Sequence, residues 1–322
     1  MQSVYISGII PDLGVELLRK RGFMVEINKS GRNLTRDELK EAIAKPEAIM
    51  TFIFDRIDEE VLGAASPDLK VVSNFGVGFD NIDVLAATRR GIVVCNTPGV
   101  AGESVAEHTF ALILALSKKL IAADKFVRSG KYSGFDPTLF LSSQVWGKTI
   151  GIVGLGRIGT YVGHMAYGGF KMKILYNDIR RSEDFEMLTE AKFVTLERIL
   201  KEADFVTLHV PLAESTRHMI GKKELSMMKE TSVLINTSRG AVVDQEALIE
   251  ALSKNEIGGA GLDVYEGEYH MPHELRILGN TVLTPHIASA TVETREAMAK
   301  IAAQNIIDVF EGKEPFGLVK MS

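Results

Sequence analysis

Four short segments of this chain carry residue types that could do chemistry together. In the first, an apolar run at 149–153 enters Gly154-Leu-Gly156-Arg157-Ile158-Gly159, and Asp178 follows a second apolar run at 172–176. Strand, glycine turn, helix and spaced acid are the layout of a dinucleotide-binding βαβ unit. Gly154 permits the tight turn, Gly156 lets backbone approach a pyrophosphate, and Gly159 lets the helix sit close on its strand. The helix N-terminus offers N–H groups and partial positive charge to the phosphates. Asp178 can accept hydrogen bonds from the adenosine ribose and would repel a 2′-phosphate, which favours NAD over NADP. Arg180 and Arg181 follow closely and could accommodate that phosphate, so NADP stays the less favoured alternative.

The other three segments are Ile235-Asn-Thr237-Ser238-Arg239-Gly240, Gly261-Leu-Asp263-Val-Tyr-Glu266-Gly-Glu268 and Leu283-Thr-Pro-His286-Ile-Ala-Ser289. Each ends an apolar run, where ligands of open α/β sheets bind. The forked donors of Arg239 suit a carboxylate. His286 is placed to act as an acid or base. Singly, each has an ordinary explanation: a surface arginine, a solvated glutamate, a structural histidine. Their joint occurrence at successive strand ends points to one site. No metal-ligand spacing accompanies them.

The elements that must position these residues alternate short β-like runs with helical patterns almost throughout. This implies parallel sheets with helices on both faces. The runs at 4–7, 48–54, 71–74 and 92–95 form one small doubly wound domain, separated by helices near 13–21, 36–44 and 82–89. A largely apolar helix spans 102–119. The nucleotide-binding strands follow at 149–153, 172–176, 205–210, 232–236, 260–264 and 282–284. A last long helix covers about 290–311, after the second sheet is complete. The expected organisation is therefore residues 1–101 plus 290–322 as one flavodoxin-like domain and 102–289 as the nucleotide domain, with hinges near 98–102 and 285–290.

At 322 residues the chain is long enough for two domains, and its net charge of −5 gives no reason to expect nucleic acid or an anionic membrane. One cysteine, Cys95, excludes an intramolecular disulfide and a cysteine-clustered metal site. The most membrane-like stretch, 106–116, is too short to span and contains Glu107 and His108. The start of the chain lacks the pattern of a signal peptide, so a cytoplasmic location is expected.

The motifs Gly154-Leu-Gly-Arg-Ile-Gly159, Leu208-His209-Val210-Pro211-Leu212, Leu234-Ile-Asn-Thr-Ser-Arg-Gly-Ala-Val-Val-Asp244, Gly261-Leu-Asp-Val-Tyr and Thr284-Pro-His286 agree in order and spacing with one family. Over its whole length the chain resembles the D-isomer-specific 2-hydroxyacid dehydrogenases. The resemblance implies two doubly wound Rossmann-like domains with the active site in the cleft between them, usually as a homodimer. It implies hydride transfer between NAD and a small 2-keto or 2-hydroxy acid. Arg239 would bind the substrate carboxylate and carbonyl oxygen, and His286 would donate a proton. Glu268 would hydrogen-bond His286 and favour its protonated form; Glu266, nearer Asp263, ranks second. Asp263 would hold the nicotinamide carboxamide. Ser104, His209, Val210, Pro211, Thr237 and Ser238 would line the cofactor, together with Arg157 and Ile158. Val77 and Gly78, in Asn74-Phe-Gly-Val-Gly-Phe-Asp80, resemble a loop whose backbone N–H groups grip the carboxylate.

The stretch 135–141, ahead of 145–151, resembles the glyoxylate/hydroxypyruvate reductase branch. There an aromatic residue, usually Trp and here Phe135, covers the substrate of the dimer partner. Loss of the indole N–H leaves preference for a hydroxylated substrate open. D-lactate, branched 2-keto acid and 3-phosphoglycerate dehydrogenases are the alternative activities. Corepressors of the same superfamily are the non-enzyme alternative; they use the fold as an NAD-dependent scaffold.

Overall fold

The structure, a computed structural model, describes residues 2–267 and 271–320. The chain forms two compact units, one running to Ala101 and resuming at Ala290, the other Gly102–Ser289.

The first unit opens with β1 (Ser3–Ile6), α1 (Asp12–Lys20), β2 (Met24–Ile27), α2 (Arg36–Ile43) and β3 (Ala48–Thr51). It continues with α3 (Glu59–Gly63), β4 (Val71–Asn74), α4 (Val84–Arg89) and β5 (Val93–Cys95). All five strands are parallel, in the order β2-β1-β3-β4-β5. That is the flavodoxin-like order. Side chains alternate across the sheet: Val4, Ile6, Met50 and Val71 face one core, Ile49, Val72 and Val94 the other. Burial of both faces explains why these strands read as continuous apolar runs.

The second unit begins with α5 (Gly102–Ser117), α6 (Leu120–Arg128), β6 (Thr149–Val153), α7 (Arg157–Phe170) and β7 (Lys173–Asn177). Next come α8 (Glu183–Thr189), β8 (Lys192–Phe193), α9 (Leu196–Glu202), β9 (Phe205–Leu208), α10 (Lys222–Leu225) and β10 (Val233–Asn236). It closes with α11 (Gln245–Ser253), β11 (Gly259–Leu262), α12 (His273–Ile277) and β12 (Thr281–Leu283). Its seven parallel strands run β12-β11-β10-β9-β6-β7-β8. The order reverses between β6 and β9, and ligands of such sheets bind outside the carboxyl ends at that point. The long α13 (Val292–Phe310) then rejoins the first unit, packing Ala299, Ala302 and Ile306 into the core shared with Val15 and Leu18 of α1.

Two strands escape the sequence reading. β2 carries Glu26 and sits at a sheet edge with no fully buried residue, so it shows no apolar run. β8 is two exposed residues. Helix α6 was not expected either, because none of its nine residues is buried.

Candidate active site

The glycine turn is built by close approach. Gly154 has φ +94, and a Cβ on it would stand 2.8 Å from the carbonyl carbon of His209, the residue that follows the neighbouring β9. Neither condition admits an ordinary side chain. Gly156 then caps α7, and nothing lies within 4 Å of where its Cβ would be. Among the described residues the N–H groups of Arg157 and Ile158 have no hydrogen-bond partner. Open space above a glycine, facing the free donors of a 14-residue helix, is a cradle for phosphate.

Asp178 stands just past β7, beside this turn. Its Oδ2 accepts from the Leu155 N–H at 2.6 Å and its Oδ1 from the Arg180 N–H at 3.2 Å. A half-buried acid held against the glycine turn suits a ribose diol. The two arginines behind it differ. The Arg181 guanidinium is forked onto Glu186, with Nη2 to Oε2 at 2.6 Å, and the Tyr176 hydroxyl donates to the same carboxylate at 2.7 Å. These bonds draw the Glu186 carboxyl down to about 2. Arg180 has no such partner among the described residues. The donor set and the open glycine thus fit a dinucleotide.

His209 follows β9, its N–H donating to Val153 O at 2.8 Å. Its Nε2 lies 2.9 Å from Thr207 Oγ1, while Nδ1 is buried without a partner among the described residues. Burial pushes the ring down to about 3, so it is neutral at ordinary pH. Thr237 is buried beside Thr109, and Ser104 is buried on α5.

The Arg239 turn is fixed from beneath by Asn236. This buried side chain at the end of β10 donates from Nδ2 to Arg239 O at 2.9 Å and accepts at Oδ1 from the Ser238 N–H and hydroxyl. Arg239 itself is half-buried, with Nη1 donating to Ser238 O at 2.8 Å. Gly240 completes the turn because a Cβ there would lie 1.9 Å from the Tyr265 carbonyl carbon. Backbone of the Asp263 segment thereby packs directly on the Arg239 turn.

Asp263 is fully buried. Its Oδ1 accepts from the Thr284 hydroxyl at 2.6 Å and the Ile287 N–H at 2.9 Å, and its Oδ2 accepts from the Ala288 N–H at 2.8 Å. His108 Nε2 lies 3.5 Å from Oδ1 and 3.0 Å from Thr284 Oγ1. Burial alone would lift this carboxyl; the hydrogen bonds from His108, Thr284, Ile287 and Ala288 outweigh it and leave the group below its ordinary value. Asp263 anchors the loop that carries His286. The His286 N–H is held by Asp263 O at 2.9 Å, and its φ of +54 is a left-handed conformation sustained by these contacts. The ring stands half-buried at the carboxyl end of β12.

Glu268 lies outside the described residues. Glu266, the second-ranked acid, is drawn elsewhere: His218 Nε2 is 2.9 Å from its Oε1 and Arg217 Nη1 is 3.7 Å away. His218 matched no motif, so this pair was not legible in the sequence. Asn236, Thr284 and His108 were missed as supports because only burial and contacts distinguish them. Val77 and Gly78 belong to the first unit, in the loop leaving β4. Phe135 is 88% exposed, in a stretch without regular structure between α6 and β6.

Comparison with known proteins adds a family. Residues 110–288 match the model of the D-isomer specific 2-hydroxyacid dehydrogenase NAD binding domain. A glyoxylate reductase of Thermococcus litoralis is 46% identical over 320 residues, covering 98% of this chain and 96% of that one. A Thermus thermophilus crystal structure superposes with a TM-score of 0.93 at 39% identity, over 99% of this chain and 100% of that one. The D-lactate dehydrogenase of Aquifex aeolicus, solved with NAD and lactic acid, gives a TM-score of 0.83 at 32% identity, over 97% and 96%.

Proposed function

The chain belongs to the D-isomer specific 2-hydroxyacid dehydrogenase family and is an NAD-dependent oxidoreductase, and we propose that it reduces a small 2-keto acid, glyoxylate or hydroxypyruvate, to the D-2-hydroxy acid. One observation carries the assignment of the chemistry. The Arg239 turn and the His286 loop end strands of one sheet, and both are pinned by the Asp263 segment, beside the phosphate cradle of the same sheet.

Residues 102–289 would hold NAD: Gly154, Gly156, Arg157, Ile158 and Gly159 at the pyrophosphate, Asp178 at the ribose, and Ser104, His209, Val210, Pro211, Thr237 and Ser238 along the rest. The remaining unit would receive the substrate carboxylate on the Val77 and Gly78 N–H groups. Bound NADH supplies the hydride. Arg239 would pair with the carboxylate and steady the ketone oxygen as negative charge develops there. His286, as the imidazolium, would give its proton to that oxygen while the carbonyl carbon gains the hydride. The C=O π pair moves to oxygen, a hydroxyl forms, and the neutral imidazole is reprotonated from water. Glu268 would pair with the imidazolium.

A homodimer is part of this reading. Leu120, Ile121, Val127, Tyr132, Phe135, Leu141 and Trp146 are large apolar side chains left exposed along one continuous stretch of the second unit. A second copy of the chain would take these side chains out of water. The cytoplasm is the proposed compartment.

The test is NADH oxidation against a panel of 2-keto acids, repeated with NADPH. Turnover of glyoxylate or hydroxypyruvate with NADH is expected. NAD binding without turnover of any 2-keto acid would favour a scaffold instead.

A further inference from the structure

The loop that leaves β4 shows three successive carbonyls held by the protein. Gly76 O accepts from the Thr97 N–H at 2.9 Å. Val77 O accepts from Asn96 Nδ2 and Gly78 O from Asn74 Nδ2, both at 2.7 Å. Every peptide bond here is trans, so each fixed carbonyl turns the N–H of the next residue to the opposite side. The N–H groups so directed belong to Val77, Gly78 and Phe79. Among the described residues none of the three has a partner. Successive free N–H groups at a turn make an anion-binding concavity, and the chain bends here.

Asn74 and Asn96 are themselves secured. Asn74 is fully buried at the end of β4, its Oδ1 accepting from the Thr51 hydroxyl at 3.1 Å. Asn96 follows β5 and is gripped by the far end of the chain. Its N–H donates to Gly317 O at 2.8 Å, and its carbonyl accepts from Asn305 Nδ2 of α13 at 2.9 Å. Asn305 is fully buried and closes the ring by accepting the Gly317 N–H at 3.0 Å. The fit is tight: a Cβ on Gly317 would stand 2.0 Å from Asn96 O.

We propose that Asn96 and Asn74 are positioning residues that aim the Val77 and Gly78 N–H groups at the substrate carboxylate, and that Asn305 and Gly317 of the C-terminal segment hold Asn96 in place. This rests on the reading that those N–H groups receive the carboxylate. It gives the returning C-terminal segment a part in substrate binding beyond completing a core. Neither asparagine touches substrate; each works through the peptide plane whose carbonyl it holds.

The test compares Asn96→Ala with wild type, using glyoxylate as varied substrate at saturating NADH and oxamate as a non-reacting carboxylate inhibitor. The backbone bonds of Asn96 to Gly317 and Asn305 survive this change, so the variant keeps the C-terminal ring. KM for glyoxylate and the oxamate inhibition constant should both rise about tenfold, from a weakened hydrogen bond to a charged group. kcat and the NADH dissociation constant should stay within about twofold, as for lost ground-state binding alone. Asn74→Ala should show the same split. Unchanged KM and oxamate constants would overturn the proposal, as would parallel losses in kcat, NADH binding and melting temperature, which mark general damage. Arg239→Ala, run beside them, separates the two readings. If it keeps wild-type kcat/KM, the underlying site assignment fails; if it is inactive while Asn96→Ala is unaffected, only the positioning role fails.

Discussion

Asp178 and Arg181 would set opposite demands on an adenosine ribose. Arg181 is forked onto Glu186, while the Asp178 carboxylate, beside the glycine turn, is the proposed partner of the diol. Asp178→Ala should therefore weaken NADH by about 1–3 kcal/mol. Glu186→Gln should free Arg181 and tighten NADPH relative to NADH. Fluorescence titration of both nucleotides checks each change, and an unaltered NADH/NADPH ratio in both variants removes these residues from cofactor choice. At Arg239, lysine should restore only part of the activity lost on replacement by alanine, since a point charge cannot reproduce the bidentate fork; steady-state kcat/KM for the two variants decides this. Arg239 and His286 were legible in the sequence because charged residues at strand ends are visible as types. The anchoring part of Asp263 was not legible, because its burial and its bonds to the 284–288 segment show only in three dimensions. Asn96 gave no signal, because an asparagine after a strand suits any turn.

Strands that are largely buried announced themselves as apolar runs, and so β1, β3, β4, β5, β6, β7, β9, β10, β11 and β12 were found with ends off by at most three residues. The edge strands β2 and β8 were not, since half-exposed strands mix polar with apolar residues. The loops that position the site depend on the Asp263 anchor, which ties the carboxyl end of β11 to the 284–288 segment. Its carboxyl lies below the ordinary aspartate value of 3.8 in the fold. The unfolded chain thus binds the proton more readily than the native one. The stability this contributes is present above about pH 3.8 and is lost as pH falls toward the folded pKa. Asp263→Asn should be less stable at neutral pH and should lose less further stability on acidification. Urea unfolding at neutral pH and in the acid window measures both effects; identical pH slopes for the variant and wild type would refute the anchor's charge. Asp55, buried and bonded to Ser7 and the Phe52 N–H, is shifted up by burial and works in the opposite direction.

For the whole molecule, the discontinuous layout follows from one crossing of the chain at residue 101 and one return at residue 290. The helix after a completed sheet was the sequence clue to it. The stretch 120–146 carries exposed large apolar side chains that a second copy is proposed to cover. Light scattering should give the mass of a dimer. Phe135→Ala should raise KM for the 2-keto acid and leave NADH binding unchanged, because the residue is proposed to cover the partner's substrate; an unchanged KM would remove it from that role. The central claim is stereospecific hydride transfer from NADH to a 2-keto acid. It is tested most directly by reducing hydroxypyruvate with NADH deuterated at both C4 positions and resolving the product by chiral chromatography with mass detection. D-glycerate carrying one deuterium at C2 is the result expected. L-glycerate, or product without the label, would contradict the account.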